Sequence, residues 1–169
     1  MDKAAFSYNT FKEKVKNWVL ENFEEGASVL DVGAGGGTYG KLLKNFTNNI
    51  DAVEIYRPNI TDYNLMSLYR FVANRDIVDL EYPEYDLIIF GDVIEHLTVD
   101  DAKQVLKYAY GKCKDMIVAV PYKYKQAGNE NEHEEHIQDD LTKDNVLQRY
   151  PFLKPLFTSD SHGYYVKKK

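Results

Sequence analysis

Cysteine is nearly absent from this chain. Cys113 is the only one, which excludes an internal disulfide framework and fits a reducing compartment such as the cytoplasm. No apolar run approaches the length of about 18 residues that a membrane-spanning helix needs, so no membrane partner is expected. The opening residues, MDKAAFSYNTF, lack the apolar core of a secretory signal. Positive charge is also short. With 21 Lys and Arg against 27 Asp and Glu, the net charge is −6, which argues against a general nucleic-acid-binding surface. The one concentrated basic feature, Lys167–Lys169, reads as a solvated tail. Repeats, linkers and low-complexity segments are missing as well. What remains is a chain of 169 residues, expected to form one domain over 1–169 with a sizeable core.

The stretch that organises the chain is SVLDVGAGGGTYGKLL, Ser28–Leu43. Ser28–Val32 is a short apolar run of the kind that forms a buried strand, and Leu42, Leu43 and Phe46 recur at helical spacing after the glycines. Strand, glycine loop and helix together make a nucleotide-binding turn. Its glycines let the backbone turn tightly and approach a ligand with no Cβ in the way. The dinucleotide pattern G-x-G-x-x-G fails here. Counted from Gly33, its last place is Thr38; the match from Gly35 through Gly37 to Gly40 starts two residues too late. A nicotinamide dehydrogenase is therefore disfavoured. The pattern that fits is D-x-G-x-G-x-G, at Asp31, Gly33, Gly35 and Gly37, with Ala34 inside it.

The rest alternates between strands and helices. Phe11, Val15, Trp18, Val19 and Phe23 predict an amphipathic helix over about 10–23, with the core following from Ser28. Ile50–Ile55 reads as the second strand and carries Glu54, some twenty residues past the glycines, where a carboxylate meets a ribose. Arg70–Asn74 reads as a third strand, closed by Arg75, Asp76 and Ile77. Tyr85–Gly91 is apolar on both faces, as a central parallel strand is. It runs into DVIEHL, and Val99 or Asp100 is expected to cap the helix after that. Met116–Val120 is a buried strand ending at Pro121. The polar loop from Tyr122 to Asp140 is long enough to suggest function. A short helix over Leu141–Tyr150 and a hairpin around a Ser-His-Gly turn close the chain.

In this order VLDVGAGGGTYG, VEIYRPNI, ANRDIVDL, YDLIIFGDVIEHL, VAVPY and the GN…H…DDLT loop resemble the small bacterial class I S-adenosylmethionine-dependent methyltransferases, some of which accompany glycan-assembly genes. The resemblance implies an α/β, Rossmann-like fold with a seven-stranded mixed sheet in the order 3-2-1-4-5-7-6 and helices on both faces. It implies S-adenosylmethionine as cofactor, with S-adenosylhomocysteine as product, and by analogy a small-molecule or sugar-type acceptor; the available bases fit methyl transfer to oxygen better than to carbon, with an amine left open. The cofactor-binding residues it points to are Asp31, Gly33, Ala34, Gly35, Gly37, Glu54, Ile55, Asp76, Ile77, Asp92 and Val93. Asp76 would meet the adenine amino group, and Ile77 the ring. His136 and His96 are the candidate catalytic bases, His133 a lesser one, and His162 in the hairpin turn is expected to be inert. Phe6 and Tyr8 are candidates to close over a ligand, and a second copy of the chain is a candidate to complete the open side of the pocket.

Two alternatives stand beside this reading. D-V-I-E-H followed by H-E-E-H resembles the metal-binding pattern of small-RNA 3′-terminal 2′-O-methyltransferases, which implies a metal held by Asp92, Glu95, His96 and His133 or His136. The first acid is Asp rather than Glu and the chain is acidic, so no metal ligands are assigned and nucleic acid is not the expected partner. The spacing of His133 and His136 is also not that of H-E-x-x-H zinc sites. The other alternative is a cofactor-binding module without catalysis, against which the intact glycine loop, Glu54 and the His-bearing loop all argue.

Overall fold

The computed structural model describes residues 11–127 and 131–168. Phe6 and Tyr8 lie outside the described residues. The sheet has seven strands: β1 (Val29–Val32), β2 (Ile50–Val53), β3 (Phe71–Ala73), β4 (Tyr85–Gly91), β5 (Cys113–Pro121), β6 (Leu153–Thr158) and β7 (His162–Lys167). Their spatial order is β3-β2-β1-β4-β5-β7-β6. The first five run parallel, and β7 is antiparallel to both β5 and β6. This is the order expected from the sequence. The helices are α1 (Lys12–Asn22), α2 (Thr38–Leu43), α3 (Arg57–Asp62), α4 (Val99–Gly111) and α5 (Lys143–Arg149).

Alternation along the central strands builds two cores. Ile88, Phe90, Met116 and Val118 pack with Val105, Leu106 and Val146 on one face. Leu87, Ile89 and Ile117 pack with Val15, Val19 and Leu43 on the other. Each such fully buried aliphatic side chain contributes about 1.5–3 kcal/mol, so the middle of the sheet is the rigid part of the molecule. It supports the loops at its carboxyl edge.

Local chemistry shifts several boundaries. β3 stops at Ala73 because the Asn74 side chain turns to donate to the carbonyls of Glu54 and Ile55, at 2.8 and 2.9 Å. The cap of α4 is Thr98, not Val99 or Asp100: its hydroxyl accepts the Asp101 amide at 3.1 Å. Thr142 caps α5 in the same way through the Asn145 amide. His162 is not a turn residue. It opens β7, paired with Pro121 across the sheet, and is 2% exposed. No helix among the described residues is long and apolar enough to cross a membrane.

Candidate active site

A cavity of about 930 Å³ opens beyond the carboxyl ends of β1, β2, β4 and β5. There the order of the sheet reverses direction about β1, the place where open α/β sheets bind ligands. One wall is the glycine loop. The amides of Gly33 and Ala34 both donate to the Val53 carbonyl, at 2.8 and 3.2 Å, which ties the loop to the end of β2. Gly33 has φ +69°, and a Cβ there would stand 2.5 Å from Cγ2 of Val93. No other residue fits that conformation and that gap.

Glu54 follows β2 directly and is buried. Its carboxylate accepts the Gly35 amide at 2.7 Å and the Tyr56 amide at 2.8 Å, one on each oxygen. Burial raises its pKa, and these two amides oppose the rise. The Asn59 side chain hydrogen-bonds the same carboxylate and opposes the rise as well, and Glu54 lines the cavity, where a charged acceptor can bind a diol. Ile55, Asp76 and Ile77 continue this wall. Asp76 uses one oxygen to accept the Val78 amide at 2.9 Å, fixing its turn.

Asp92 and Val93 line the cavity from the end of β4. Asp92 has φ +59°, a left-handed conformation that Asp tolerates better than most residues. Neither of its carboxylate oxygens accepts a hydrogen bond among the described residues, but His162 Nε2 lies 3.7 Å from Oδ1. His162, expected to be inert, therefore lines the cavity and faces an acid. Burial lowers its pKa and Asp92 opposes that.

Asp31 and Gly37, also expected at the cofactor, stand back from the cavity. Alternation along β1 turns Asp31 toward the opposite face from Leu30 and Val32, where it is 1% exposed. The Tyr69 hydroxyl donates to its Oδ2 at 2.5 Å and itself accepts the Gly40 amide at 3.1 Å. Burial pushes the Asp31 carboxyl up to about 7, against the opposing pull of Tyr69 and Lys12. Gly37, with φ +74°, packs against Leu68 and Leu65. Both residues act on the loop from behind.

The short 3-10 turn Ile94–His96 meets the loop that carries His136. The ring centroids of His96 and His136 are 4.7 Å apart, edge to face. His96 Nδ1 lies 3.1 Å from the Glu135 carbonyl, and His136 Nδ1 lies 2.9 Å from the Tyr124 carbonyl. A carbonyl only accepts, so each Nδ1 carries the hydrogen and each Nε2 holds a lone pair. Burial lowers the pKa of both rings; a neighbouring imidazole, His133 for His96 and His96 for His136, adds to this, while the backbone carbonyls and Asp92 oppose it. Both shifts favour the neutral imidazole. Beside them Glu95 is 1% exposed, and neither of its carboxylate oxygens has a hydrogen-bond partner among the described residues. Burial, then the charge of Asp92, raises its pKa well above the carboxylate range. One ligand atom each from Glu95, His96 and His136 lies within 4.8 Å of the other two; this set includes neither Asp92 nor His133.

The sequence reading missed three parts of this site. Gln138 joins its halves: its amide donates to the carbonyls of Ile94 and Leu97 at 2.7 and 3.1 Å, and its oxygen accepts Tyr150 and Arg149. Lys12, on α1, is buried with Nζ 2.9 Å from the Tyr39 hydroxyl. Tyr39 lines the cavity floor. Of the three, only Gln138 had a signal, its place in a loop already suspected of function.

No protein-family model and no curated protein matches this sequence. Solved structures do match it. An S-adenosylmethionine-dependent methyltransferase from Clostridium acetobutylicum superposes with a TM-score of 0.73 at 15% identity, covering 97% of this chain and 92% of that one. The magnesium protoporphyrin IX methyltransferase ChlM from Synechocystis, with S-adenosylmethionine bound, gives 0.66 at 13% identity over 92% of this chain and 77% of that one. The N-methyltransferase NodS from Bradyrhizobium japonicum gives 0.61 at 12% identity, over 97% of this chain and 100% of that one. Sheet order, the antiparallel β7 and these likenesses agree: the chain has the fold of the class I S-adenosylmethionine-dependent methyltransferases.

Proposed function

We propose that this protein transfers the methyl group of S-adenosylmethionine to an oxygen of a small-molecule or sugar-type acceptor. The observation that carries the reading is a cavity that brings the glycine loop and Glu54 together with the paired imidazoles of His96 and His136. The residues present fit the cofactor: a Cβ at Gly33 would fill the space beside Val93, and Glu54 presents a buried carboxylate at the cavity. When bound, S-adenosylmethionine supplies a methyl group activated by a positively charged sulfur.

The chain's own residues do the rest. Glu54 binds the ribose hydroxyls through charge-assisted hydrogen bonds. Asp76 and Ile77 receive the adenine, and Gly33, Ala34 and Gly35 give the backbone a close approach. His136 takes the proton of the acceptor hydroxyl at Nε2, and its Nδ1 hydrogen bond to Tyr124 holds the ring for that task. His96 braces the ring edge to face. An oxygen acceptor needs such a base; a neutral amine brings its own lone pair.

Calorimetric titration with S-adenosylhomocysteine and, separately, NAD tests the cofactor half. Binding of the first and not the second, weakened in Glu54→Ala, is the expected outcome. Failure to bind S-adenosylhomocysteine sinks the proposal. Hydroxylated and amine acceptors, compared for S-adenosylhomocysteine release, test the oxygen preference; a uniform preference for amines refutes it.

A further inference from the structure

We infer that Glu95, His96 and His136 form a binding site for one divalent transition-metal ion of the zinc class, open to the cavity. Their ligand atoms already lie within 4.8 Å of one another, and an ion of this class binds such atoms at about 2.0–2.2 Å.

Two independent features point to a cation. The first is Glu95. A carboxylate that is 1% exposed with neither oxygen hydrogen-bonded among the described residues is costly to keep. A cation beside it removes that cost. The second is the orientation of the two rings. Each imidazole gives its Nδ1 hydrogen to a backbone carbonyl, at 3.1 Å for His96 and 2.9 Å for His136. Such outer hydrogen bonds fix the tautomer and leave Nε2 unprotonated, which is how metal-bound histidines are held. Gln138 locks the two contributing segments together, so the ligands do not depend on a loose loop.

The donor set selects the ion. Two imidazole nitrogens and one carboxylate oxygen suit zinc and its neighbours; magnesium and calcium prefer oxygen alone. Three protein ligands leave at least one position for a further ligand, and all three residues line the cavity. An acceptor hydroxyl bound there would be acidified by the ion and release its proton to water, in place of direct transfer to His136. Only this consequence rests on the methyl-transfer reading. The binding site itself does not.

The test titrates the metal-stripped full-length protein with cobalt(II), followed by visible absorption, and with zinc(II), in competition with a chromophoric chelator. One saturable equivalent per chain is expected, with affinity falling about a hundredfold in Glu95→Gln and His136→Ala and staying within about twofold in His133→Ala. Magnesium should not compete. A tenfold or greater loss in both ligand variants supports the site; no saturable binding, or a smaller loss, overturns it. Nitrogen-15 spectra of the wild-type imidazoles give the same answer if a variant fails to fold. Zinc should move the Nε2 signals of two histidines, and movement of none overturns the site. S-adenosylhomocysteine titration of the same samples keeps the two readings apart: metal binding without cofactor binding refutes only the methyltransferase reading, and the reverse refutes only the metal site.

Discussion

Asp31→Asn makes the hidden side of the glycine loop measurable. In the folded protein burial raises the Asp31 carboxyl to about 7, from an ordinary 3.8. The groups facing it are the Tyr69 hydroxyl, Lys12 from α1 and Glu54 from the end of β2. Because the folded pKa is the higher one, between these two values the folded state keeps a proton that the unfolded state has released. Stability therefore falls as pH rises through this window, by about 1.4 kcal/mol per pH unit at most, and levels off above it. From about pH 5 to about pH 8 the loss comes to about 2.5 kcal/mol. Asparagine has no such proton, and its Oδ1 still accepts from Tyr69. Urea unfolding of both proteins at the two pH values should show Asp31→Asn gaining about 2.5 kcal/mol on the wild type at the higher pH. A stability difference that stays constant between the two conditions refutes the burial argument for Asp31.

Three further outcomes are expected. Glu54→Ala removes the charged acceptor for two ribose hydroxyls and frees the Gly35 amide; calorimetry should show S-adenosylhomocysteine binding weakened by about a hundredfold or more, or roughly 3 kcal/mol. Gly33→Ala places a methyl against Val93 at a positive φ and should destabilise the fold by about 1–3 kcal/mol in denaturant unfolding. His136→Ala should lower kcat by about 10²–10⁴ while leaving the KM for S-adenosylmethionine unchanged, read from initial rates on an accepted hydroxyl substrate.

Elements whose chemistry is local were legible in the sequence. The apolar runs at Tyr85–Gly91 and Met116–Val120 need two buried faces, and they became the central strands. Glu54 could be placed because the distance from a glycine loop to the next strand end is set by one helical crossover. What stayed hidden depends on contacts between distant parts of the chain. His162 meets Asp92 only because β7 enters antiparallel beside β5, and nothing near Ser161 announces that. Lys12 looked like the polar face of α1, yet it is buried because an aromatic floor waits for its long stem: its Nζ stands 4.3 Å from the Tyr39 ring centroid. The cap of α4 was placed one or two residues late, at Val99 or Asp100, while the hydroxyl of Thr98 has the reach to the Asp101 amide. Asp31 could be placed at the end of β1 by its motif, but its partner there, the Tyr69 hydroxyl, comes from far along the chain.

The loop from Tyr122 to Asp140 is fastened at both ends. At its start the Tyr122 amide donates to Ser161 and the Lys123 amide to Leu141, at 2.8 and 2.9 Å. At its finish Gln138 is clamped to the turn that carries Glu95 and His96. A segment anchored this way works as a replaceable cartridge. Residues between the two fastenings can be exchanged while His136 keeps its place, so under the proposed function the acceptor preference can change without moving the proposed base.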